Sequence, residues 1–232
     1  GPMLRKVAVN DTTAFWESTY RTKIKRIILG TKIAKPANSI KEWDVGSYDG
    51  VVDVMAYLTT NSTNSSYYDL YIQGDGHLYA NYDSSYLFSN FTNLDEILNL
   101  ELLDTSKTTS MNYMFYQTGY YSNKFTLDVS SFNTSNVTDM GSMFYQCTGI
   151  TSLDLSSFNT SKVVKMAKTF TLCRKLTTIY VSDLWNTSSV TNSTQMFSNC
   201  TLLRGTASYD ANKVDVTMAN YVTGYLTYKS NN

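Results

Sequence analysis

Four successive stretches of this chain are variants of one string, so whatever fold forms must set them in equivalent places. Leu127 to Ser152 reads LDVSSFNTSNVTDMGSMFYQCTGITS, and Leu153 to Thr178 reads LDLSSFNTSKVVKMAKTFTLCRKLTT, in register over 26 positions. From Ile179 the string returns with one extra residue before Asn186, and Leu98 to Thr126 carries three extra residues after Tyr116. The three cysteines, Cys147, Cys173 and Cys200, each follow a Phe (Phe144, Phe170, Phe197) by three residues. One cysteine per unit, with no CxxC pair, reads as a small apolar filler of the interior rather than a metal or redox motif.

Within a unit, Leu153 and Leu155 alternate as in a short strand with one buried face. Phe158-Asn159-Thr160-Ser161 is a turn, because Asn, Thr and Ser side chains bond their own backbone. Val163, Met166, Phe170 and Cys173 recur at three- and four-residue intervals, as a loose helical or 3₁₀ return segment would require. One such unit buries nothing alone, and stacking supplies the interior. The fold expected is therefore a leucine-rich-repeat solenoid: short parallel strands, irregular or short helical returns, mostly β and loop, capped at both ends. The expected division is 1–3 as the scar of a cleaved tag, 4–97 as an N-terminal cap with degenerate repeats, 98–204 as four repeats and 205–232 as the C-terminal cap.

Composition supports strands and turns. Ser, Thr and Asn make up 78 of 232 residues and only 16% are charged, a mixture in which hydroxyls and amides compete with a helical backbone. In the N-terminal part, Lys23 to Leu29 reads as a strand stopped by Gly30, and Val51 to Leu58 as another. Tyr67 to Ile72 and His77 to Ala80, around Gln73-Gly74-Asp75-Gly76, read as a hairpin.

Net charge is zero, which gives no global field for a nucleic acid, and no apolar run is long enough to span a membrane. The charges are segregated, however. Residues 1–41 hold nine basic and two acidic groups, 42–104 eleven acidic and no basic, and 105–232 ten basic and six acidic. Neighbouring layers of opposite sign are the plain reading, and an acidic belt facing a basic partner is the functional one.

Catalysis has little to work with. His77 is the only histidine and no GxSxG elbow exists, so a nucleophile would lack its usual base. Asp128 and Asp154 hold equivalent places in adjacent repeats, where they form a surface ladder rather than an enclosed carboxylate pair. Asp75, with Asp69 and Asp83, lacks the order of an EF-hand. No catalytic residue, metal ligand or cofactor is assigned.

Binding surfaces follow from strand geometry. Residues between inward leucines point outward, giving ladders of Asp128, Asp154 and Tyr180 and of Ser130, Ser156 and Ser182. A rival surface is the tyrosine cluster of Tyr67, Tyr68 and Tyr71 with Tyr120 and Tyr121.

The string LDLSSFNTSKVVKM, with its NTSNVT and SMFYQC variants, resembles the BspA-type leucine-rich repeats of bacterial surface proteins, and Phe15-Trp16, Trp43-Asp44-Val45 and Tyr86-Leu87-Phe88 resemble the family's flanks. Thr118 departs from it by replacing Cys, Ser193 by standing where Met111, Met140 and Met166 stand, and Thr169 by standing where Met114, Met143 and Met196 stand. The resemblance implies an extracellular, non-catalytic adhesion or protein-interaction module of the bacterial cell surface, whose signal peptide and anchor would lie outside these residues. Its partner would be a host or neighbouring-cell surface protein, with extracellular matrix or a glycan as the alternatives. A carbohydrate-recognition or cell-wall accessory domain and a structural stalk are the competing functions. A monomer is expected, since open edges arise only at the two ends.

Overall fold

The computed structural model describes residues 1–8 and 11–232. After a short helix, α1 (Ser18–Arg21), the chain forms β1 (Ile24–Gly30), β2 (Lys41–Asp44), β3 (Val54–Thr60), β4 (Tyr68–Gly74) and β5 (Glu96–Leu98). These make one open sheet in the order β2-β3-β4-β1-β5, antiparallel from β2 to β4 and parallel from β4 to β5. The β-branched and aromatic residues of β1 and β3 favour such pleated, half-buried positions. Ile24, Ile27 and Leu29 of β1 face inward, the odd spacing absorbed by an irregularity between Ile24 and Arg26. A second open sheet, all parallel, joins β6 (Ser152–Leu155), β7 (Thr178–Val181) and β8 (Thr227–Tyr228).

The expected leucine-rich-repeat solenoid is therefore corrected. A chain of that architecture carries one parallel strand per unit in a single ladder; here the strands divide between a five-stranded mixed sheet and a separate three-stranded parallel one. The reasons are local. Residues 41–74 pair antiparallel, and residues 123–130 belong to no strand, so β5 and β6 are not joined. The expected hairpin across Gly74–Gly76 is also absent, because Asp75 N–H bonds to the Asp53 carbonyl and Gly76 N–H to that of Thr31. Tyr79 instead makes single parallel bridges to Met3 and Asp104. Pro2 and Met3, read as part of a tag scar, are tied in: Tyr79 N–H bonds to the Pro2 carbonyl and Ser47 N–H to that of Met3.

The repeated strings do pack against one another, but not through helical returns. Tyr113 and Gln117 have φ of 58° and 57°, and the same left-handed pair recurs as Ser142 and Gln146, Lys168 and Leu172, and Gln195 and Asn199, with Tyr86 and Asn90 upstream. The N–H groups of Tyr113, Phe115 and Gln117 bond to the carbonyls of Gly141, Met143 and Tyr145 in the next unit, at 3.0, 2.9 and 3.0 Å. Those of Met114, Tyr116 and Thr118 turn back onto Met111, Tyr113 and Phe115. Alternate residues thus bond along the stack and within the turn. The three- and four-residue spacing that suggests a helix is this alternation.

Side chains follow the backbone. Phe88, Phe115, Phe144, Phe170 and Phe197 lie ring over ring at 5.6, 5.8, 5.7 and 5.5 Å, and edge-on rings close the column, Phe91 at one end and Tyr225 at the other. The thiols of Cys147, Cys173 and Cys200 are buried and free, and donate to the carbonyls of Phe115, Phe144 and Phe170. Burial pushes all three thiols up, that of Cys200 to about 12, so none is a nucleophile at neutral pH.

The departures from the repeat are now accounted for. Thr118 gives the Phe88 carbonyl the same bond through its hydroxyl, at 2.6 Å. Thr169 donates to the Met140 and Met166 carbonyls. Ser193 Oγ accepts from Val216 N–H in the closing segment. The Asn-Thr-Ser turn is also a staple. Buried Thr134 Oγ1 donates to the Asn159 carbonyl and accepts Asn159 N–H, and Thr105 and Thr160 do the same to Asn133 and Asn186.

Because the Phe88 carbonyl accepts only from the Thr118 hydroxyl among the described residues, Thr118→Val orphans a buried acceptor. Urea unfolding is expected to show a loss of about 1–3 kcal/mol for Thr118→Val and less than half of that for Thr118→Cys, which restores the donor.

Candidate functional site

The outward strand face is less available than its sequence suggests. The register pairs Asp154 with Tyr180 as expected. Lys229, just beyond β8, then folds back over both, its Nζ 2.5 Å from Asp154 Oδ2 and 5.6 Å from the Tyr180 ring centre. Burial raises the Asp154 carboxyl's pKa, but the Lys229 ammonium, the Ser156 hydroxyl and Ser156 N–H together bring it below the ordinary value. Ser156 and Ser182 are buried: Ser156 Oγ donates to Asp154 Oδ1 and Ser182 Oγ to the Ser156 carbonyl. Only Asp128 and Ser130 remain exposed, and Asp128 Oδ1 accepts Ser130 N–H in a local turn.

The tyrosines divide. Tyr68 packs inward, 6.2 Å from Tyr20. Tyr71 lines a separate hollow with Arg26 and Asp69. Tyr67 and Tyr121 come together on the wall of a hollow of about 540 Å³, with Thr22, Lys23, Thr92 and Asn93. Tyr120 stands edge-on to Tyr121 at 4.9 Å. Both are exposed, Tyr121 at 71%.

This hollow lies beside a second, of about 420 Å³, lined by Lys25, Arg26, Asn64, Asp95, Glu96 and Lys124 among others. The same four segments build both: residues 22–26, 61–67, 92–96 and 121–126. Lys25 Nζ, 4.5 Å from the Tyr67 ring centre, stands where they meet. Together they form a trough that is aromatic at one end and charged at the other.

The walls are fixed by bonds among themselves. Tyr68 N–H bonds to the Lys23 carbonyl, Asp95 N–H to that of Lys25 and Tyr121 N–H to that of Thr92, while the Asn93 amide donates to the Thr22 carbonyl. Asn61 holds its loop by donating to Asp69 and accepting from Thr63 and Asn64. Asp69 also bonds Arg26 at 2.8 Å, which raises the guanidinium's affinity for its proton. Gly119, at φ 70°, starts the excursion that lifts Tyr120 and Tyr121 out. A Cβ there would meet the Phe125 ring at 2.4 Å, so only glycine fits.

Sequence reasoning named Tyr67, Tyr120 and Tyr121 but missed Lys25, Asp95, Glu96 and Lys124. The available signal was the three-residue excess after Tyr116, the one place where the first unit departs in length from the others. The carboxylates considered for a cation are dispersed: Asp69 on Arg26 and Asn61, Asp83 on Lys6, and Asp75 in an exposed turn. His77 Nε2 sits 2.8 Å from Asp104 Oδ2, with neither residue on the trough. Among the described residues no group of three or more His, Cys, Asp or Glu gathers as a metal set, and no helix is long and apolar enough to cross a membrane.

Asp154 contributes stability above its unfolded pKa of about 3.9, and loses it as pH falls through the lower folded value. Amide protection at Thr227, Tyr228 and Lys229, taken relative to the intrinsic exchange rate at each pH, is therefore expected to hold at pH 5 and to fall below about pH 4. Asp154→Asn should show the reduced protection already at pH 7.

A family model described as "Mycoplasma protein of unknown function, DUF285" matches residues 82–210, more than half of the chain. No curated protein and no solved structure matches it.

Proposed function

The chain belongs to the DUF285 family of Mycoplasma proteins of unknown function, and from that premise we propose that it is a non-catalytic bacterial cell-surface module that adheres to a partner through the trough and its tyrosines. The observation that carries this reading is Tyr121, a large aromatic ring 71% exposed on a fixed backbone, raised by an insertion in an otherwise regular unit. Exposing such a ring forfeits its burial, whereas a rigid tyrosine gives contact area at small entropic cost. The likeness of the NTSNVT and SMFYQC strings to BspA-type surface proteins supports the extracellular setting.

The chemistry of the remaining groups favours binding over catalysis. The thiols are buried and protonated, and the only histidine is engaged with Asp104 in a hollow that neither Tyr67 nor Tyr121 lines. Of the two surfaces read from the sequence, the strand face is occupied by the chain's own Lys229, which favours the tyrosines as the contact.

The test is adhesion of the labelled chain to host or neighbouring cells. Tyr121→Ala is expected to weaken it by about tenfold or more, equivalent to about 1.4 kcal/mol, with an unchanged circular dichroism spectrum. Adhesion that survives this substitution undiminished would remove the trough as the adhesive surface.

A further inference from the structure

The composition of the trough also identifies what it would hold. We propose that it is a binding site for an anionic saccharide, a sugar ring bearing carboxylate or sulfate; this rests on reading the trough as the adhesive surface.

The walls of the trough limit what it can take. The Lys23, Lys25 and Thr92 carbonyls at the junctions of the four segments already accept from Tyr68, Asp95 and Tyr121 N–H, which leaves an extended peptide only the three-residue outer edge of β5 to pair with there. Nor is there a deep apolar pocket for a side-chain anchor. What faces the trough is side-chain chemistry: the Asn64 amide nitrogen and Thr126 hydroxyl, neither bonded among the described residues, with Glu96, Lys124 and two tyrosine rings. Amides, hydroxyls and carboxylates meet the vicinal hydroxyls of a sugar, and an aromatic ring meets its C–H face, apolar on one side with a polar tip at the edge.

Charge narrows the ligand further. Lys23, Lys25, Arg26 and Lys124 stand against Asp95, Glu96 and the Asp69 carboxylate that holds Arg26, which leaves an excess of one positive charge along the trough. The pairs Lys25–Asp95 and Arg26–Glu96 are long, at 4.0 Å each, and Arg26 is committed chiefly to Asp69. Lys23 and Lys124 are exposed, and neither has a carboxylate within ion-pair distance among the described residues. One stands at the aromatic end and one at the carboxylate end. A ring stacked on Tyr121 or Tyr67 would then direct its anionic group to a free ammonium, and the attraction would weaken with salt.

The experiment titrates the full chain with three tetrasaccharides of similar size: one heparin-derived (sulfated), one hyaluronan-derived (carboxylate only) and chitotetraose (neutral). At least one anionic sugar is expected to bind at least tenfold more tightly than the neutral one, and which of the two does so separates sulfate from carboxylate as the recognised group. The double substitution Lys23→Ala/Lys124→Ala should weaken that binding at least fivefold and flatten its salt dependence. Tyr121→Ala should weaken it with the salt dependence unchanged. Lys162→Ala/Lys175→Ala, which alters exposed cations elsewhere, should have no effect. The proposal is overturned if no anionic sugar binds, if the neutral sugar binds equally, or if the remote lysine pair matters as much as the trough pair. Loss of cell adhesion in Tyr121→Ala without any saccharide binding would reject the saccharide and leave the adhesive surface standing. Saccharide binding with adhesion indifferent to Tyr121 would reject that surface as the adhesive one.

Discussion

The hydrogen bonds that alternate residues send into the following unit are the constraint on which the repeated half of the molecule depends. Each left-handed residue that is not glycine costs roughly 1–2 kcal/mol in isolation. A unit spends two of them, Tyr113 and Gln117 for example, and recovers the cost only when their N–H groups reach carbonyls of the next unit. The conformation is therefore unfavourable alone and favourable in company, which is a reason for units to form together. It also makes the ends special. At one, Trp16 Nε1 donates to the Leu87 carbonyl of the first turn. At the other, Tyr209 accepts from Asn199 N–H and donates to the Phe197 carbonyl, while Tyr225 closes the aromatic column.

That same constraint decides how much of the fold could be read from the residues. Phe144, Phe170, Phe197 and the cysteines beside them announce equivalent buried places, because buried identity at a fixed period leaves a mark in the sequence. The hand of the backbone leaves almost none: Ser142, Lys168 and Gln195 share one left-handed position and no chemical property that would betray it. A three- and four-residue apolar spacing is then indistinguishable from a helical face. The five-stranded sheet was hidden for another reason. In β3 the residues Ala56 to Thr59 are all buried, so the period of two that marks a half-exposed strand is lost, and the partner of β4 could not be told from its own pattern.

The segregated charges were legible and found their plain explanation. Lys6 meets Asp83, Lys25 meets Asp95, Arg26 meets Asp69 and Glu96, and Lys35 meets Glu42, so the basic first segment lies against the acidic one that follows. Most of these pairs are solvated and contribute little to stability. Asp69 is different: at 4% side-chain exposure it must be satisfied, and Arg26 and Asn61 satisfy it while fixing the loop that walls the trough. A buried carboxylate in the sheet is thus what gives a surface loop its shape.

The location of the trough follows from the break between the two sheets. Had residues 123–130 paired with both β5 and β6, their backbone would be consumed in a continuous ladder and the surface there would be flat. The first unit is instead lengthened after Tyr116, and Gly119 turns the extra residues outward. Tyr121 N–H then bonds to Thr92 and the Ser122 hydroxyl to Asp95, so the segment is anchored at the start of β5 and leaves the strand register beyond it. A concavity opens between Lys124 and Thr126 on one side and Arg26 and Glu96 on the other. The irregularity that denies this chain a single ladder of strands is also what opens this concavity in its surface.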